Sequence, residues 1–422
     1  FQWESSHPAA AWQPAGLTVS GPATNDCSHA RLSRPEQQTE AKARHAGEML
    51  MFGRFTSSSL SSPTSSSLCT CGQSHETVSF SRRGLLTGAG AVLAAGIAGV
   101  PNFVADAVAQ TATPAHRIDV HHHISPPTWL DAVKSMKKDN PPLANWTIQK
   151  TLDDMDKGGV AVAITSPTTP QTFGLDAAAA ARVAKESNEY AKKLEADHKG
   201  RFGTWAMLPL PHIDESLKAI EYAFDTLKVD GVGIMTSYGD KWLGYAEFEP
   251  VWAELNRRKA TVYTHPTAAN CCVNLVRGID PALIEFGTDT TRSIFSVIFS
   301  GVAQKYPDIK WIWSHGGGAL TAFYERFTVQ SIAIPPYKGK FTREQIDQLI
   351  DGFYYDTAAI PNDVTLAAVK KMVPVSQIVF GTDFPYRRAT DYLDALKKNF
   401  SADELKAIDR DNALKLVPRL KA

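Results

Sequence analysis

The sequence RIDVHHHI at residues 117–124 alternates apolar and polar side chains before it reaches three consecutive histidines. Ile118 and Val120, each between polar neighbours, predict a short strand that ends at the histidines. Residues two apart in a strand lie on the same face, so His121 and His123 can point at one centre. Neutral imidazole is a common ligand of zinc and similar metals. We therefore interpret this strand end as one side of a metal site.

Downstream of this strand the chain alternates short β-prone segments with helical segments, an order typical of an α/β fold with parallel strands. Eight such units over about 305 residues predict a TIM-type (β/α)8 barrel. The candidate strands are 118–122, 160–166, 202–208, 231–235, 261–265, 310–314, 353–356 and 378–382. Residues 139–146 are expected to form an inserted loop after the first strand, with a lid as one role for it.

Polar side chains follow four of these predicted strands. His121 and His123 end the first strand, His265 ends the fifth, His315 follows the sixth and Asp383 follows the eighth. In TIM barrels the catalytic groups lie at the carboxyl ends of the strands. We therefore expect three histidines and one aspartate to converge on a metal, with a fourth histidine beside it.

Four motifs at these strand ends resemble those of the amidohydrolase superfamily. They are D-x-H-x-H at 119–123, T-H-P at 264–266, S-H-G-G-G at 314–318 and G-T-D-F-P at 381–385. Within the superfamily, the chain resembles most the metal-dependent decarboxylase branch of aminocarboxymuconate semialdehyde, resorcylate and methylsalicylate decarboxylases. The resemblance extends over residues 117–418. The order and spacing of the four motifs carry it, since each motif alone is a weak signal.

The resemblance implies a role for each of these polar strand ends. His121, His123, His265 and Asp383 correspond to metal ligands, and His315 corresponds to the catalytic histidine beside the metal. Asp383 is also a candidate for a direct catalytic role. Histidine nitrogens and one carboxylate, with a coordination position left open, suit catalytic zinc.

Substrate-binding residues are also implied, although with alternatives. Arg326 occupies a position similar to an arginine that binds the substrate carboxylate in the family, and Phe384 adjoins Asp383 and is a candidate wall of the substrate pocket. Arg292 is either a substrate-side cation or a surface charge of a helix. Asp356 either orients a metal ligand or caps a turn, and Tyr386 is either a pocket wall or a core residue.

One divalent metal is expected. The predicted strand 231–235 has no lysine at its end, so the bridging carbamylated lysine of dinuclear amidohydrolases is missing. Three imidazoles favour zinc, with manganese as the alternative. The first motif is His-x-His, whereas some aromatic decarboxylases have Glu-x-His. His122 lies between the two proposed ligands and faces away from them, so we interpret it as a packing residue or as one that supports the ligands from behind.

We predict non-oxidative decarboxylation of a small aromatic or unsaturated carboxylic acid, either salicylate-like or carboxymuconate-like. The carbon that loses CO2 must gain a proton, and Asp383 or His315 could deliver it. In the aminocarboxymuconate type, a metal-bound water activated by His315 adds to the substrate instead. The alternative is hydrolysis of a lactone, amide or ester on the same barrel. A metal-binding protein without turnover is the third hypothesis. The products distinguish these activities.

The composition is that of a large globular protein. The chain has 422 residues, 43% of them hydrophobic, which is enough to bury a sizeable core. It carries 44 basic and 44 acidic side chains, and this balance gives no argument for a nucleic-acid partner. The expected partner is a small carboxylic acid substrate, and the family resemblance adds a homodimer as a further expectation.

The chain is expected to divide into three parts. The composition of residues 1–80 predicts a disordered extension. The alternative is that part of this extension does not belong to the translated protein, which would then start at Met49 or Met51. Residues 81–109 resemble a twin-arginine signal, with Arg82 and Arg83 before an apolar run. That run of about 16 residues is short and rich in Gly and Ala for a transmembrane helix, so no stable membrane anchor is expected. Residues 110–422 would then be the barrel, periplasmic or exported, and cytoplasmic if the signal is not used.

Overall fold

The computed structural model describes residues 116–335 and 337–421, and the predicted extension and signal segment lie outside them. The strands of this region follow closely those predicted from the sequence. They are β1 Arg117–His123, β2 Val160–Ser166, β3 Phe202–Met207, β4 Gly231–Met235, β5 Ser237–Tyr238, β6 Lys241–Trp242, β7 Thr261–His265, β8 Lys310–Trp313, β9 Tyr354–Asp356 and β10 Ile378–Val379.

Eight of these strands form one parallel sheet in the order β1-β2-β3-β4-β7-β8-β9-β10. Each strand lies beside the next barrel strand in the sequence, as in a (β/α)8 barrel. The remaining two strands, β5 and β6, pair antiparallel as a small hairpin after β4, which the sequence pattern did not predict. The predicted TIM-type barrel is therefore confirmed.

The barrel closes between β1 and the segment that follows β10. The N–H of Val120 donates to the carbonyl of Phe380 at 3.0 Å, and the N–H of His123 donates to the carbonyl of Phe384 at 2.8 Å. Between them, the N–H of Asp383 donates to the carbonyl of His121 at 2.8 Å. The eighth strand ends at Val379, earlier than predicted, and the segment after it turns at Asp383, whose φ is +64°. This irregular segment still hydrogen-bonds to β1, so Asp383 lies beside the histidines.

Helices connect the barrel strands. The α helices of the described chain are α1 Pro127–Ser135, α2 Pro141–Ala144, α3 Ile148–Gly158, α4 Ala177–Asp197, α5 Ile213–Glu221, α6 Glu249–Arg257, α7 Glu285–Phe299, α8 Val302–Lys305, α9 Leu320–Glu325, α10 Ser331–Ala333, α11 Arg343–Gly352, α12 Asp363–Met372, α13 Leu393–Asn399, α14 Ala402–Lys406 and α15 Asn412–Leu416. Helices α7 and α8 are separated at Gly301, whose φ of +87° interrupts the helical path. The expected loop 139–146 contains α2.

Helix α4 shows how local sequence specifies these outer elements. Asp176 caps it by accepting the N–H of Ala179 at 2.9 Å. Its buried apolar residues include Ala180, Val183 and Ala184, with the helical spacing of one face turned toward the sheet.

Side chains fill the barrel itself. Ile118, Val120 and Val162 belong to a buried cluster inside the strands, together with Leu416 from the carboxyl-terminal helix α15. Burying each such side chain stabilises the fold by about 1.5–3 kcal/mol. The hydroxyl of Thr261, the first residue of β7, donates to the carbonyl of Leu416 at 3.3 Å. The carboxyl-terminal segment therefore covers the amino-terminal end of the barrel, and the candidate functional residues lie at the opposite end. Within the described residues, every helix is too short or too polar to span a bilayer.

Candidate metal centre and active site

The ends of three strands bring four buried ligand groups together. His121 and His123, two apart at the end of β1, place their Nε2 atoms 3.1 Å from each other. His265 ends β7 and Asp383 follows β10. One ligand atom from each of the four residues lies within 4.8 Å of the others. The structure therefore assembles the set that the sequence predicted as metal ligands.

The donor set fits one divalent cation. Oδ1 of Asp383 lies 3.2 Å from Nε2 of His121 and 3.2 Å from Nε2 of His123. This oxygen is buried and has no hydrogen-bond partner among the described residues. Buried polar atoms are rarely left unpaired unless an ion or water completes them. Three imidazole nitrogens around an unpaired carboxylate oxygen match the ligand chemistry of zinc and related metals.

A second contact orients each of the three imidazoles. Nδ1 of His121 donates to Oδ2 of Asp356 at 2.7 Å, and Nδ1 of His123 donates to the carbonyl of Ser166 at 3.2 Å. Nδ1 of His265 donates to the carbonyl of Pro266 at 2.8 Å. With Nδ1 occupied, Nε2 is the nitrogen that each ring turns to the centre, which is the arrangement usual for metal-binding histidines.

Asp356 performs both of the roles that the sequence left open. One of its oxygens holds His121, and the other accepts the N–H groups of His315 at 2.7 Å and Ala358 at 3.1 Å. It therefore orients a proposed ligand and caps the turn after β9. The same carboxylate also fixes the backbone of His315.

Asp119 is a buried residue whose role the sequence did not reveal. Its Oδ1 accepts the N–H of His121 and the N–H of Thr382, each at 3.0 Å. Its Oδ2 accepts the Thr382 hydroxyl at 2.6 Å and Nδ1 of His122 at 3.0 Å. Asp119 thus ties β1 to the segment that carries Asp383. His122 bonds to Asp119 and points away from the metal ligands, as its place on the strand predicted.

His315 lies beside the four-ligand cluster. Its Nε2 is 3.4 Å from Oδ2 of Asp383 and has no hydrogen-bond partner in the described chain. Its ring stacks on that of His121, with 5.2 Å between the centroids. The glycines after His315 let the backbone pass close to α7, since a Cβ on Gly318 would lie 2.1 Å from the carbonyl oxygen of Gly287.

The electrostatics of the metal-free site set the protonation of its ligands. Burial alone would lower the pKa of His121, but Asp356 and Asp383 outweigh it and raise that pKa to about 10. Burial lowers the pKa of His123, and burial with its neighbouring histidines lowers that of His265 well below its usual value. Burial would raise the pKa of Asp383, yet His121 and the adjacent imidazoles hold it well below its usual range. The carboxylate is therefore ionised and two of the three imidazoles are neutral.

A cavity of about 760 Å³ lies over this cluster. His265, His315 and Asp383 form part of its wall. Asn140, at the start of α2, also lines this cavity and donates from Nδ2 to the hydroxyl of Tyr386 at 3.1 Å. The insertion that contains α2 therefore covers part of the mouth. The volume matches that of ordinary small-molecule sites.

The structure does not bring the three predicted substrate residues into this cavity. Arg326 is exposed and is absent from the cavity wall. Arg292 lines a separate groove of about 370 Å³ and pairs with Glu285 at 3.2 Å, as the surface alternative expected. Phe384 stacks on His122, with 4.7 Å between ring centroids, and lines another cleft. Their substrate roles remain predictions without support from the geometry of this single chain.

Two cavity residues received little or no weight from the sequence. Tyr386 and Arg387 lie on the turn just beyond Asp383 and face the cavity. The sequence offered Tyr386 as a pocket wall or a core residue and did not single out Arg387, because nothing in the residue pattern shows which way a turn points.

A (β/α)8 barrel with this histidine and aspartate cluster at its carboxyl-terminal mouth defines a metal-dependent enzyme of the amidohydrolase type. The sequence pattern of the Amidohydrolase family matches residues 118–419. The chain belongs to this family.

Related proteins specify the branch. Decarboxylase yanB of Aspergillus niger is 36% identical over 72% of this chain and 88% of its own length. A 6-methylsalicylic acid decarboxylase of Penicillium expansum is 33% identical over 72% of this chain and 97% of its own length. These relatives confirm the predicted decarboxylase branch and favour it over the hydrolase alternative.

A solved structure shares the fold. A dihydroxybenzoic acid decarboxylase of Polaromonas, with bound manganese and the inhibitor 2-nitroresorcinol, superposes with a TM-score of 0.63. It is 20% identical and covers 73% of this chain and 98% of its own. At this identity the likeness supports the barrel architecture.

Proposed function

We propose that this chain is a metal-dependent decarboxylase of a small aromatic carboxylic acid of the salicylate type. One observation carries the proposal: His121, His123, His265 and Asp383 form a buried ligand cluster that opens, beside His315, into a cavity large enough for a single ring. The 6-methylsalicylic acid decarboxylase described above supports the aromatic substrate over the carboxymuconate-like one.

The reaction breaks the bond between the ring and the carboxylate, and the ring carbon takes up a proton as CO2 leaves. A divalent metal held by the four ligands would bind and polarise an acidic substrate with an ortho hydroxyl. The chain must hold the ring, exclude water and supply the proton. His315 and Asp383 lie 3.4 Å apart at the cavity wall, so this pair can hold a proton near a bound ring.

We propose zinc as the metal, with manganese as the alternative. Three imidazoles and one carboxylate are a usual zinc set, whereas manganese generally prefers more oxygen ligands. The related Polaromonas structure contains manganese, so manganese is tested alongside zinc. Metal analysis of the purified chain, followed by reconstitution of the stripped protein with each ion, distinguishes them.

The test of the activity is CO2 release from 2-hydroxybenzoates with and without a 6-methyl group. We expect release that a chelator abolishes and that added metal restores, with the decarboxylated phenol as the second product. Hydrolysis of lactones, esters or amides without CO2 release would support the hydrolase instead. Metal binding without either product would contradict both activities.

We further propose export through the twin-arginine route. Arg82 and Arg83 before an apolar run support it, although this segment lies outside the described residues. A reporter fused after residue 110 should appear in the periplasm, and replacing both arginines by lysine should retain it in the cytoplasm. Cytoplasmic location of the unmodified fusion would contradict the proposal.

We also propose a homodimer. Apolar side chains are exposed in the segment 273–284, including Leu275 and Leu283, which are 63% and 77% exposed. Contiguous exposed apolar surface often marks a protein interface. Light scattering during gel filtration should give twice the mass of one chain, and a monomer would refute the proposal.

A further inference from the structure

The side chain of Arg387 is a feature of the cavity that the proposed mechanism does not use. Among the residues that the structure describes, Arg387 is the one arginine or lysine that lines this cavity. Within the same described region, its exposed guanidinium takes part in no hydrogen bond or ion pair, and Asp391 acts on it only through its charge. Arginine presents a planar set of donors that matches a carboxylate at two points. An unpaired guanidinium beside the proposed metal site is therefore available to an anionic ligand.

The backbone holds Arg387 close to the metal ligands. The N–H of Arg387 and the N–H of Tyr386 both donate to the carbonyl of Asp383, at 3.3 Å and 2.9 Å. The hydroxyl of Tyr386 also accepts the Asn140 side chain at 3.1 Å. One short turn therefore carries a proposed metal ligand, this cation and a contact with the insertion that covers the mouth. The position of the cation relative to Asp383 is set locally.

The neighbouring arginine provides a contrast. Arg388 donates to Oδ1 of Asp391 from Nε at 3.0 Å and from Nη2 at 2.7 Å. It lines the cleft beside Phe384 and does not face the cavity over the metal ligands. Two consecutive arginines thus have different surroundings, one paired with a carboxylate and one open to the cavity.

The charges in the cavity wall indicate what Arg387 would bind. Asp280 lines the cavity and disfavours an anion, whereas the charge of Asp383 is offset when it binds the proposed metal. An aromatic acid that enters as a carboxylate is attracted by the proposed metal, and Arg387 is the side chain of the described cavity wall that adds a second positive charge. We propose that Arg387 binds the carboxylate of the substrate and makes this site prefer an ionised 2-hydroxybenzoate over its neutral analogue. The identity of this ligand rests on the proposed function.

The test compares the binding of salicylate with that of neutral salicylamide to the metal-loaded full chain. Arg387→Gln should weaken salicylate binding by about 10- to 100-fold, the effect of losing a charge-assisted hydrogen bond. Salicylamide binding should change much less, and Arg387→Lys should keep part of the preference. Arg388→Gln is the matched control, and we expect it to bind both ligands as the wild type does. Unfolding temperatures of all variants verify that each is folded.

Equal weakening of both ligands, or no weakening by Arg387→Gln, would overturn the inference, as would a wild type that binds neither compound. If Arg326→Gln loses the preference for salicylate over salicylamide and Arg387→Gln does not, Arg326 binds the carboxylate instead. The failure of the proposed function is distinguishable from the failure of this inference. If the wild type releases no CO2 but prefers salicylate over salicylamide in a way that depends on Arg387, decarboxylation alone is refuted. Normal CO2 release and normal KM in Arg387→Gln refute this inference only.

Discussion

Oδ2 of Asp356, at the end of β9, lies 2.7 Å from Nδ1 of His121, at the end of β1. These strands are not neighbours in the sheet, since β10 lies between them. The other oxygen of Asp356 accepts the backbone N–H of His315 at 2.7 Å. One buried carboxylate therefore fixes both a proposed metal ligand and the backbone of the proposed catalytic histidine.

Asp356→Asn should weaken metal binding by about 10- to 100-fold, the usual effect of removing a carboxylate behind a metal-binding histidine. The asparagine oxygen can still accept the N–H of His315, so the turn should persist. Competition with a chelator of known affinity measures the change. Asp351→Asn, at an exposed position, is the control. Unchanged affinity in Asp356→Asn would show that His121 does not need this contact.

His315→Ala should retain the metal but lose turnover. Nε2 of His315 lies 3.4 Å from Asp383 and is not one of the four clustered ligand atoms. Loss of a general acid or base typically lowers kcat by about 10²- to 10⁴-fold. The checks are metal content and the kcat for CO2 release. His198→Ala, which replaces a histidine at the end of α4, should leave both unchanged. Full activity in His315→Ala would exclude the proposed role.

Metal affinity should rise with pH. In the metal-free chain Asp356 and Asp383 outweigh burial and raise the pKa of His121 to about 10, so the ring is protonated at neutral pH. Metal binding to Nε2 must release this proton, and raising the pH makes the release easier. The expected gain is about tenfold in affinity per pH unit while the pH stays below that pKa. Calorimetry in buffers of different ionisation enthalpy should show about one proton released per metal. Metal binding without proton release would mean that His121 is already neutral in the metal-free chain.

Gly318→Ala should destabilise the fold. Gly318 has φ +66°, and a Cβ there would lie 2.1 Å from the carbonyl oxygen of Gly287. Left-handed strain and the required backbone shift together should cost about 2–4 kcal/mol of unfolding free energy. Gly200→Ala is the matched control, because Gly200 has φ +77° with no atom within 4 Å of the added Cβ. Urea unfolding of both variants measures the difference. Equal losses would mean that φ, and not the contact with Gly287, dominates.

Much of the barrel could be predicted from the sequence. The strands β2, β4 and β7 have the predicted bounds, because apolar segments between turn residues are local signals. The eighth strand was less predictable, since its pairing with β1 continues through residues in irregular conformations up to Phe384. The hairpin of β5 and β6 was missed because each of its strands has only two residues.

The proposed metal ligands were also accessible to sequence reasoning. His121, His123, His265 and Asp383 each end or follow a strand, and parallel strands of a barrel end at the same mouth. The residues that orient these ligands were harder to recognise. Asp119 and Asp356 are single acids, and their partners are far away in the sequence.

The sequence by itself determined the barrel, the family and the four clustered ligand positions, because strand periodicity and polar strand ends are properties of short segments. Only the tertiary structure decided which arginine faces the cavity. Arg292, Arg326 and Arg387 have the same side chain, yet the first pairs with Glu285, and of the other two, both exposed, Arg387 lines the cavity and Arg326 does not. The surroundings of a guanidinium depend on the directions of helices and turns that pack from distant parts of the chain, and no local pattern encodes them.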